Sequence, residues 1–127
     1  MSDMSSPFIN RIGSVFVPVQ DIEKARDWYC RILNLPVDEA PIHFGHLCPL
    51  PMDAPGLILD TMPMWGGKEP SGPPSFQTPA FMLLTDDIEA AYGYMSDQGA
   101  ERITEIMDGR WFAFRDPDGN LLMACQR

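Results

Sequence analysis

The sequence predicts an α+β fold in which two βαβββ modules follow one another in the chain. Three observations support this prediction. The pentapeptide at residues 21–25, DIEKA, returns at residues 87–91 as DIEAA, identical at four of five positions and offset by 66 residues. Before each copy, apolar and polar residues alternate as in a strand. After each copy, apolar residues recur with the spacing of an amphipathic helix. Residues 63–79 contain five prolines and three glycines, which indicates a loop between the two halves.

The repeat and the loop together set the expected domain boundaries. A chain of 127 residues is long enough to bury one hydrophobic core, whereas half of it is too short to bury a sheet alone. We therefore expect a single domain over residues 1–127, with module one at about 8–62, a linker at 63–77 and module two at about 78–127.

The first module is expected to open with a strand that leads directly into a helix. Val15, Val17 and Val19 alternate as in a half-buried strand. Asp21 can accept hydrogen bonds from the free backbone N–H groups of a helix start, and Asn34 tolerates the left-handed conformation that ends a helix. The predicted helix between them carries apolar residues at helical spacing: Ile22, Ala25, Trp28, Tyr29, Ile32 and Leu33.

The second module repeats this arrangement. Phe81 and Leu83 mark its first strand. Asp86, with Glu89 three residues later, has the spacing of a capping box, and Gly99 is expected to end the helix. The apolar residues of this helix are Ile88, Ala91, Tyr92 and Met95.

Three further strand candidates follow each helix. Residues 116–120, DPDGN, separate the last two of module two, and a Pro followed by a Gly suits a tight hairpin. The predicted strands lie near residues 37–42, 43–48 and 57–62 in module one, and near 102–107, 110–115 and 121–125 in module two.

Composition and charge exclude several classes of function. Acidic residues outnumber basic ones by 18 to 9, a net charge of −9, whereas nucleic-acid binding requires a basic surface. The apolar runs are too short to span a bilayer, and the first ten residues do not resemble a signal peptide. We therefore expect a cytoplasmic protein that binds neither nucleic acid nor membrane. The acidic balance would favour a cationic ligand over an anionic one.

Residues 12–35 resemble the opening module of the vicinal oxygen chelate proteins, a superfamily that includes glyoxalases, extradiol dioxygenases, fosfomycin-modifying enzymes and bleomycin-resistance proteins. The strand, the DIEKA motif, Trp28-Tyr29 and Leu33-Asn34-Leu35 stand in the family's order, with Asn34 in place of the common glycine. Residues 112–123 are similar to the family's final hairpin. The resemblance implies a glyoxalase-like fold, in which the two modules form an open eight-stranded, barrel-like cleft, and it implies a homodimer.

In catalytic members of the family, the first and last strands of each module hold a divalent metal in the cleft. The matching first-strand positions of this sequence are Ser14 and Ala80, and the matching last-strand position of module two is Met123. In module one, Asp60 is expected to correspond to Met123. Ser, Ala and Met with at most one Asp do not form a hard-metal or zinc site, because a single carboxylate lacks the geometry and charge that such a site needs. We therefore expect no metal and no other cofactor, and metal-dependent glyoxalase or dioxygenase chemistry is not expected.

The histidines and cysteines suggest one incomplete metal-binding or catalytic site. His43 and His46, three residues apart on a predicted strand, should point to opposite faces. His46 and Cys48 should share a face and could form a zinc site or a nucleophile–base couple, although a third partner is missing. A local hydrogen bond for His46 and a core position for Cys48 are the alternative explanation. If the protein has a general base, His46 is the catalytic candidate.

The cleft is expected to be mainly apolar. Strand alternation places Ser14 and Phe16 on one face of the first strand, and Ala80 and Met82 on the equivalent face of module two. Trp65, Trp111 and Phe112 could form an aromatic platform, but core packing or a dimer contact would explain each of them as well. The predicted ligand-binding residues are therefore Ser14, Phe16, His46, Asp60, Trp65, Ala80, Met82, Trp111, Phe112 and Met123.

An apolar cleft with few polar groups suits binding better than acid–base chemistry. The favoured function is that of a bleomycin-resistance-like protein with a degenerate metal site, which binds or sequesters a small, largely apolar molecule that could carry a cationic group. The alternative is a lyase, isomerase or dioxygenase-type enzyme that is metal-free or uses displaced metal ligands, for which His46, Asp60 and Ser14 would have to converge. A third interpretation is a vestigial cleft in a protein that acts through dimerisation or partner contacts.

Overall fold

The computed structural model describes residues 6–127. Its elements follow the order of two related modules. Module one contains β1 (Ser14–Pro18), α1 (Ile22–Leu33), a 3-10 turn (Val37–Glu39), β2 (Leu47–Pro49) and β3 (Gly56–Asp60). Module two contains β4 (Met82–Thr85), α2 (Ile88–Asp97), β5 (Glu101–Arg102), β6 (Trp111–Arg115) and β7 (Leu121–Gln126). Neither α1 nor α2 is long and apolar enough to cross a membrane.

Each module forms one open sheet. Sheet one has the order β1-β3-β2, with β1 parallel and β2 antiparallel to β3. Sheet two has the order β4-β7-β6-β5, with β4 parallel to β7 and the other neighbours antiparallel. The predicted α+β class and the paired modules are confirmed, with open sheets rather than a closed barrel.

The strand predicted at residues 37–42 is wrong. Val37–Glu39 form a 3-10 turn, in which the Ala40 N–H donates to the Val37 carbonyl over 3.0 Å. Pro36 and Pro41 flank this turn, and Pro41 has no backbone N–H to offer to a strand ladder. The residues that the structure describes therefore contain seven strands instead of the expected eight.

Two tight turns shorten the strands predicted at 43–48 and 102–107. Each turn has two consecutive residues with positive φ, the geometry of a type I′ hairpin. These residues are Phe44 (55°) and Gly45 (76°) in module one, and Asp108 (53°) and Gly109 (65°) in module two. The turns close the isolated bridges His43–Leu47 and Met107–Trp111.

Aspartate side chains begin both helices. Asp21 and Asp87 each accept a hydrogen bond from the backbone N–H three residues later, over 3.1 and 3.0 Å. Asp86, the predicted cap of the second helix, instead forms an ion pair of 2.8 Å with Arg127. The cap lies at Asp87 because this residue, and not Asp86, occupies the repeat position of Asp21.

Left-handed residues end both helices, as predicted. Asn34 is the C-cap of α1 and has a φ of 55°. Gly99, one residue past the C-cap of α2, has a φ of 76°. Both residues can adopt this conformation at low cost, so each helix stops where its sequence indicates.

One hydrophobic core draws on both modules. Its fully buried members lie on the helix-facing sides of the two sheets. They include Val17 and Leu59 in sheet one, and Phe112, Phe114 and Leu122 in sheet two. The opposite face of each sheet is therefore free to form a binding surface.

A buried polar network joins the modules. The Tyr29 hydroxyl of α1 donates to the Asp116 carboxylate over 2.6 Å. Asn120 donates from its amide nitrogen to the Pro18 carbonyl, over 2.8 Å, and to Asp116, over 2.9 Å. Burial, reinforced by the Asp116 charge, raises the pKa of Tyr29 well above its ordinary value. The phenol is therefore protonated and able to donate at neutral pH.

Candidate functional site

The face of sheet one that lies away from α1 is lined by alternate residues of β1 and β3. Val17 and Leu59 point to the helix side and are fully buried, so Ser14 and Phe16 lie on the other face. Phe16 lies beside Ile58 in the register, and 49% of its surface is exposed. This face is therefore mainly apolar, and it leaves Phe16 half-exposed in the single chain.

Sheet two presents a matching apolar face. Met82 of β4 lies beside Met123 of β7, and Met123 lies beside Ala113 of β6. Trp111 lies beside Cys125 on the same face. Met82 is 51% exposed. Flexible thioethers and an indole ring form an adaptable surface for apolar molecules.

The strand pairing changes which residue of module one is equivalent to Met123 of module two. Phe16 and Met82 are equivalent at the 66-residue offset, and they pair with Ile58 and Met123 respectively. Ile58, rather than Asp60, is therefore the counterpart of Met123 in module one. The expected correspondence of Asp60 was wrong by two residues, because no local sequence motif fixes the register of the last strand.

With this pairing, the positions that the resemblance assigns to a metal would carry Ser14, Ile58, Ala80 and Met123. Together these side chains offer one hydroxyl and one thioether, which do not fit a divalent metal ion. Within residues 6–127, no group of three or more histidine, cysteine, aspartate or glutamate side chains is placed to hold a metal.

The edge of the apolar face in module one carries a hydrogen-bonded pair. His46 Nδ1 lies 2.7 Å from Asp60 Oδ1, which also accepts the Met62 N–H over 3.0 Å. The Asp60 side chain is only 8% exposed, whereas that of His46 is 32% exposed. Asp60 follows Ile58 by two residues in β3, so it lies on the same face, about 6–7 Å further along the strand.

Cys48 does not join His46. Cys48 is fully buried on the helix side of β2, and its thiol donates to the Ala40 carbonyl over 3.5 Å. Burial raises the pKa of this thiol, which disfavours the reactive thiolate. The expectation that His46 and Cys48 share a face was wrong, because His46 lies in the turn before β2, where strand alternation does not apply.

Phe112 also lies away from the predicted cleft. It is fully buried on the helix side of sheet two, with its ring in edge contact with Tyr92 at 5.1 Å. Its neighbour Trp111 points to the opposite face, because successive side chains alternate along β6. The two residues could not both line one face, and the expectation for Phe112 was wrong.

Trp65 lines a different concavity, a shallow groove of about 680 Å³ along the joint between the modules. The groove also contains Gln20, Glu69 and Asp118, and the Gln20 N–H donates to the Asp118 carboxylate over 2.8 Å. Burial raises the pKa of Asp118 against the opposing effect of this hydrogen bond, and the Asp116 charge raises it further. Trp65 therefore lies in an acidic, partly polar groove.

Sequence reasoning missed a cavity of about 330 Å³ between the two helices and sheet two. Its lining includes Ile32 and Leu33 of α1, Tyr94 and Met95 of α2, and Leu83 of β4. The helical periodicity marks Ile32, Leu33 and Met95 as apolar positions, but periodicity alone does not show whether such positions enclose a cavity.

Comparison with known proteins places these features in context. Residues 11–124 match the family model described as the Glyoxalase/Bleomycin resistance protein/Dioxygenase superfamily. No curated protein was found to match the chain.

Several solved structures are similar over nearly the whole chain. TnmS3, an antibiotic binding protein from Streptomyces sp. CB03234, is 27% identical, with a TM-score of 0.70 over 95% of this chain and 98% of that chain. A superfamily member from Sphaerobacter thermophilus DSM 20745 is 25% identical, with a TM-score of 0.69 over 94% and 98% of the two chains. Lactoylglutathione lyase from Agrobacterium tumefaciens, at 15% identity, a TM-score of 0.68 and coverage of 95% and 96%, shares the fold.

Proposed function

The chain belongs to the Glyoxalase/Bleomycin resistance protein/Dioxygenase superfamily, and we propose that it is a metal-free member that binds or sequesters a small, largely apolar molecule. The observation that carries the proposal is the pair of uncovered apolar sheet faces. Phe16 and Ile58 line one of them, and Met82, Met123 and Trp111 line the other. Monomeric soluble proteins rarely leave such surfaces open without a binding role.

The chemistry of the family's metal positions supports a metal-free cleft. Hard cations require several oxygen ligands, and zinc requires histidine, cysteine or carboxylate groups. The side chains of Ser14, Ile58, Ala80 and Met123 provide neither set. The ligand would then be held by apolar contact and a small number of polar groups, as in most small-molecule sites.

We further propose that the cleft is completed by a second copy of the chain. Leu84, on the same face of β4 as Met82, is 64% exposed. The outer edges of β1 and β4 have no strand partner among residues 6–127. Unpaired strand edges and exposed apolar side chains are the features that a homodimer interface would cover.

The class of ligand follows from the surface and from one relative. TnmS3 is an antibiotic binding protein, and it is similar to this chain over nearly its full length. An apolar aromatic molecule of antibiotic type would fit a face built from thioethers and aromatic rings. The net charge of −9 would favour ligands that also carry a cationic group. We place this activity in the cytoplasm, where the three free cysteines would stay reduced.

Ligand titration of matched variants tests the proposal. Tryptophan fluorescence and thermal shift would be recorded with a panel of neutral and cationic aromatic compounds. Met82→Glu should weaken binding about tenfold or more, because it buries a charge against the ligand. Val37→Glu adds the same charge at an exposed apolar residue of the 3-10 turn and should leave binding unchanged. Equal effects of both variants, or no ligand in the panel, would count against the proposal.

The alternative of a metal-free lyase or isomerase, or a dioxygenase-type enzyme, is less well supported. It requires Ser14, His46 and Asp60 to converge, and only the last two are in contact. Asp60 lies beside Pro18, four residues along β1 from Ser14, which is about 13 Å. The His46–Asp60 pair therefore lacks the third group, and we assign it a role in recognition instead.

A further inference from the structure

We propose that His46 is the polar recognition residue of the cleft, and that its Nε2 accepts a hydrogen bond from a phenolic or enolic hydroxyl of the ligand. This inference rests on the proposed binding function and names the chemical class of its ligand. It starts from the 2.7 Å contact between His46 Nδ1 and the Asp60 carboxylate.

The contact fixes which imidazole nitrogen is free. A carboxylate only accepts hydrogen bonds, so Nδ1 carries the proton of the neutral ring. Nε2 then has a lone pair, and it has no hydrogen-bond partner among residues 6–127. The side chain is 32% exposed, so a ligand can reach the imidazole ring.

The arrangement favours an acidic hydroxyl over a cation. Asp60 would be the natural partner of a cation, but its side chain is 8% exposed and its Oδ1 already accepts from His46 and from the Met62 N–H. The group presented to the ligand is the imidazole. Phe44, whose ring centroid lies 6.4 Å from that of His46, is 89% exposed, which favours an aromatic body on the same molecule.

The backbone holds His46 in place before any ligand binds. The His46 N–H donates to the His43 carbonyl over 3.1 Å, and the His46 carbonyl accepts the Thr61 N–H over 3.1 Å. These bonds tie the turn both to its own start and to the segment that follows β3. Such preorganisation reduces the cost of ordering the side chain on binding.

Module two shows that the fold does not require this pair. Leu47 and Trp111 are equivalent in the two modules, and they lie opposite Asp60 and Cys125 respectively. The residue before Trp111 is Arg110, which donates to the Gln126 carbonyl over 3.0 Å rather than to a carboxylate. The same turn therefore forms without a His–Asp pair, so the turn itself does not require the pair.

Two probes that differ only in the hydroxyl group test the inference. Equilibrium dialysis at neutral pH would measure the binding of 4-methylphenol, which keeps its hydroxyl proton there, and of its methyl ether, 4-methylanisole, with 4-methylbenzylammonium as the cationic probe. The wild-type protein should bind the phenol about tenfold more tightly than the ether, the size of one intermolecular hydrogen bond. A preference for the ammonium probe over the phenol would overturn the inference.

Matched variants test whether Nε2 of His46 causes the preference for the phenol over the ether. His46→Gln should bring the phenol-to-ether ratio to about one, while the affinity for the ether stays unchanged. His43→Gln, an exposed histidine three residues away, should keep the wild-type ratio. Asp60→Asn should lower the ratio as well, because the amide no longer fixes the proton on Nδ1. In the wild-type protein, the phenol but not the ether should shift the nitrogen NMR resonance of His46 Nε2, a readout that needs no variant to fold.

The possible failures are distinguishable. If both probes bind with equal affinity, or the phenol preference survives in His46→Gln, the inference is overturned and the binding function stands. If neither the phenol nor the ether binds, both the inference and the binding of apolar aromatics are contradicted.

Discussion

The hydroxyl of Tyr29, in α1 of module one, donates a hydrogen bond of 2.6 Å to the carboxylate of Asp116, in the turn between β6 and β7 of module two. Both side chains are buried. The two residues are 87 positions apart, so this bond ties the orientation of one module to that of the other. Any cleft built from both sheets depends on that orientation.

Tyr29→Phe should therefore destabilise the protein by about 1–3 kcal/mol, because it leaves part of a buried carboxylate without its donor. Chemical denaturation followed by circular dichroism would measure the free energy of unfolding. Tyr94→Phe removes a hydroxyl that donates to the Arg31 carbonyl at an exposed site, and should cost less than half as much. Equal losses in the two variants would contradict the structural role of the Tyr29–Asp116 bond.

Phe112→Ala and Phe16→Ala should separate stability from binding. Phe112 is fully buried, so its truncation should cost about 3–5 kcal/mol of folding free energy. Phe16 is half-exposed on the apolar face, so its truncation should cost much less and weaken ligand binding. Thermal denaturation and fluorescence titration of both variants would check this. A stable Phe112→Ala protein with impaired binding would mean that Phe112 faces the ligand after all.

The sequence determined the local features of this fold more securely than the register of its strands. Asp21, Asn34 and Gly99 mark the helix ends because their chemistry acts within one turn. Side chains alternate between the two faces of a strand, so the sequence shows which residues share a face. It does not show which of the two faces packs against the helix, and Phe112 was misplaced for this reason.

The position of Asp60 shows a second limit of sequence reasoning. Its counterpart in module two depends on which residues of β1 and β3 pair, and no local motif fixes that pairing. Its contact with His46, 14 residues earlier, needs the turn at Phe44 and Gly45, whose positive φ values are unusual for a phenylalanine. The sequence therefore identified both residues of the pair but not their hydrogen bond.

The raised pKa of Asp118 predicts a specific pH dependence. The folded state binds the Asp118 proton more tightly than the unfolded state does. The free energy of unfolding therefore falls as the pH rises from 3.8, the ordinary pKa of the group, through its raised pKa in the folded protein. Asp118→Asn removes this effect and keeps an oxygen for the Gln20 N–H. Its stability relative to wild type should increase between about pH 3 and pH 7.

Urea denaturation across this pH range would test the prediction for Asp118. Asp53→Asn, at an exposed loop position, controls for the loss of one negative charge. A difference between Asp118→Asn and wild type that stays constant with pH, or the same trend in the control, would contradict the assignment.

Leu84→Lys should prevent self-association if a second copy covers the face of β4. The substitution places a charge at a position that is 64% exposed in the single chain, so the fold should tolerate it. Sedimentation velocity is expected to show a dimer for the wild-type protein and a monomer for the variant, with unchanged circular dichroism. A monomeric wild-type protein would remove the proposed second copy and leave each sheet face to bind alone.

The central claim is that the cleft binds an apolar aromatic molecule without a metal, and calorimetric titration before and after exhaustive chelation tests it most directly. The ligand would be the tightest aromatic compound from the fluorescence panel, titrated again after addition of zinc, manganese, nickel or iron. We predict the same dissociation constant, within about twofold, under all of these conditions. Binding that disappears with the chelator and returns with one of these metals would contradict the account, and would show that residues other than Ser14, Ile58, Ala80 and Met123 hold a metal.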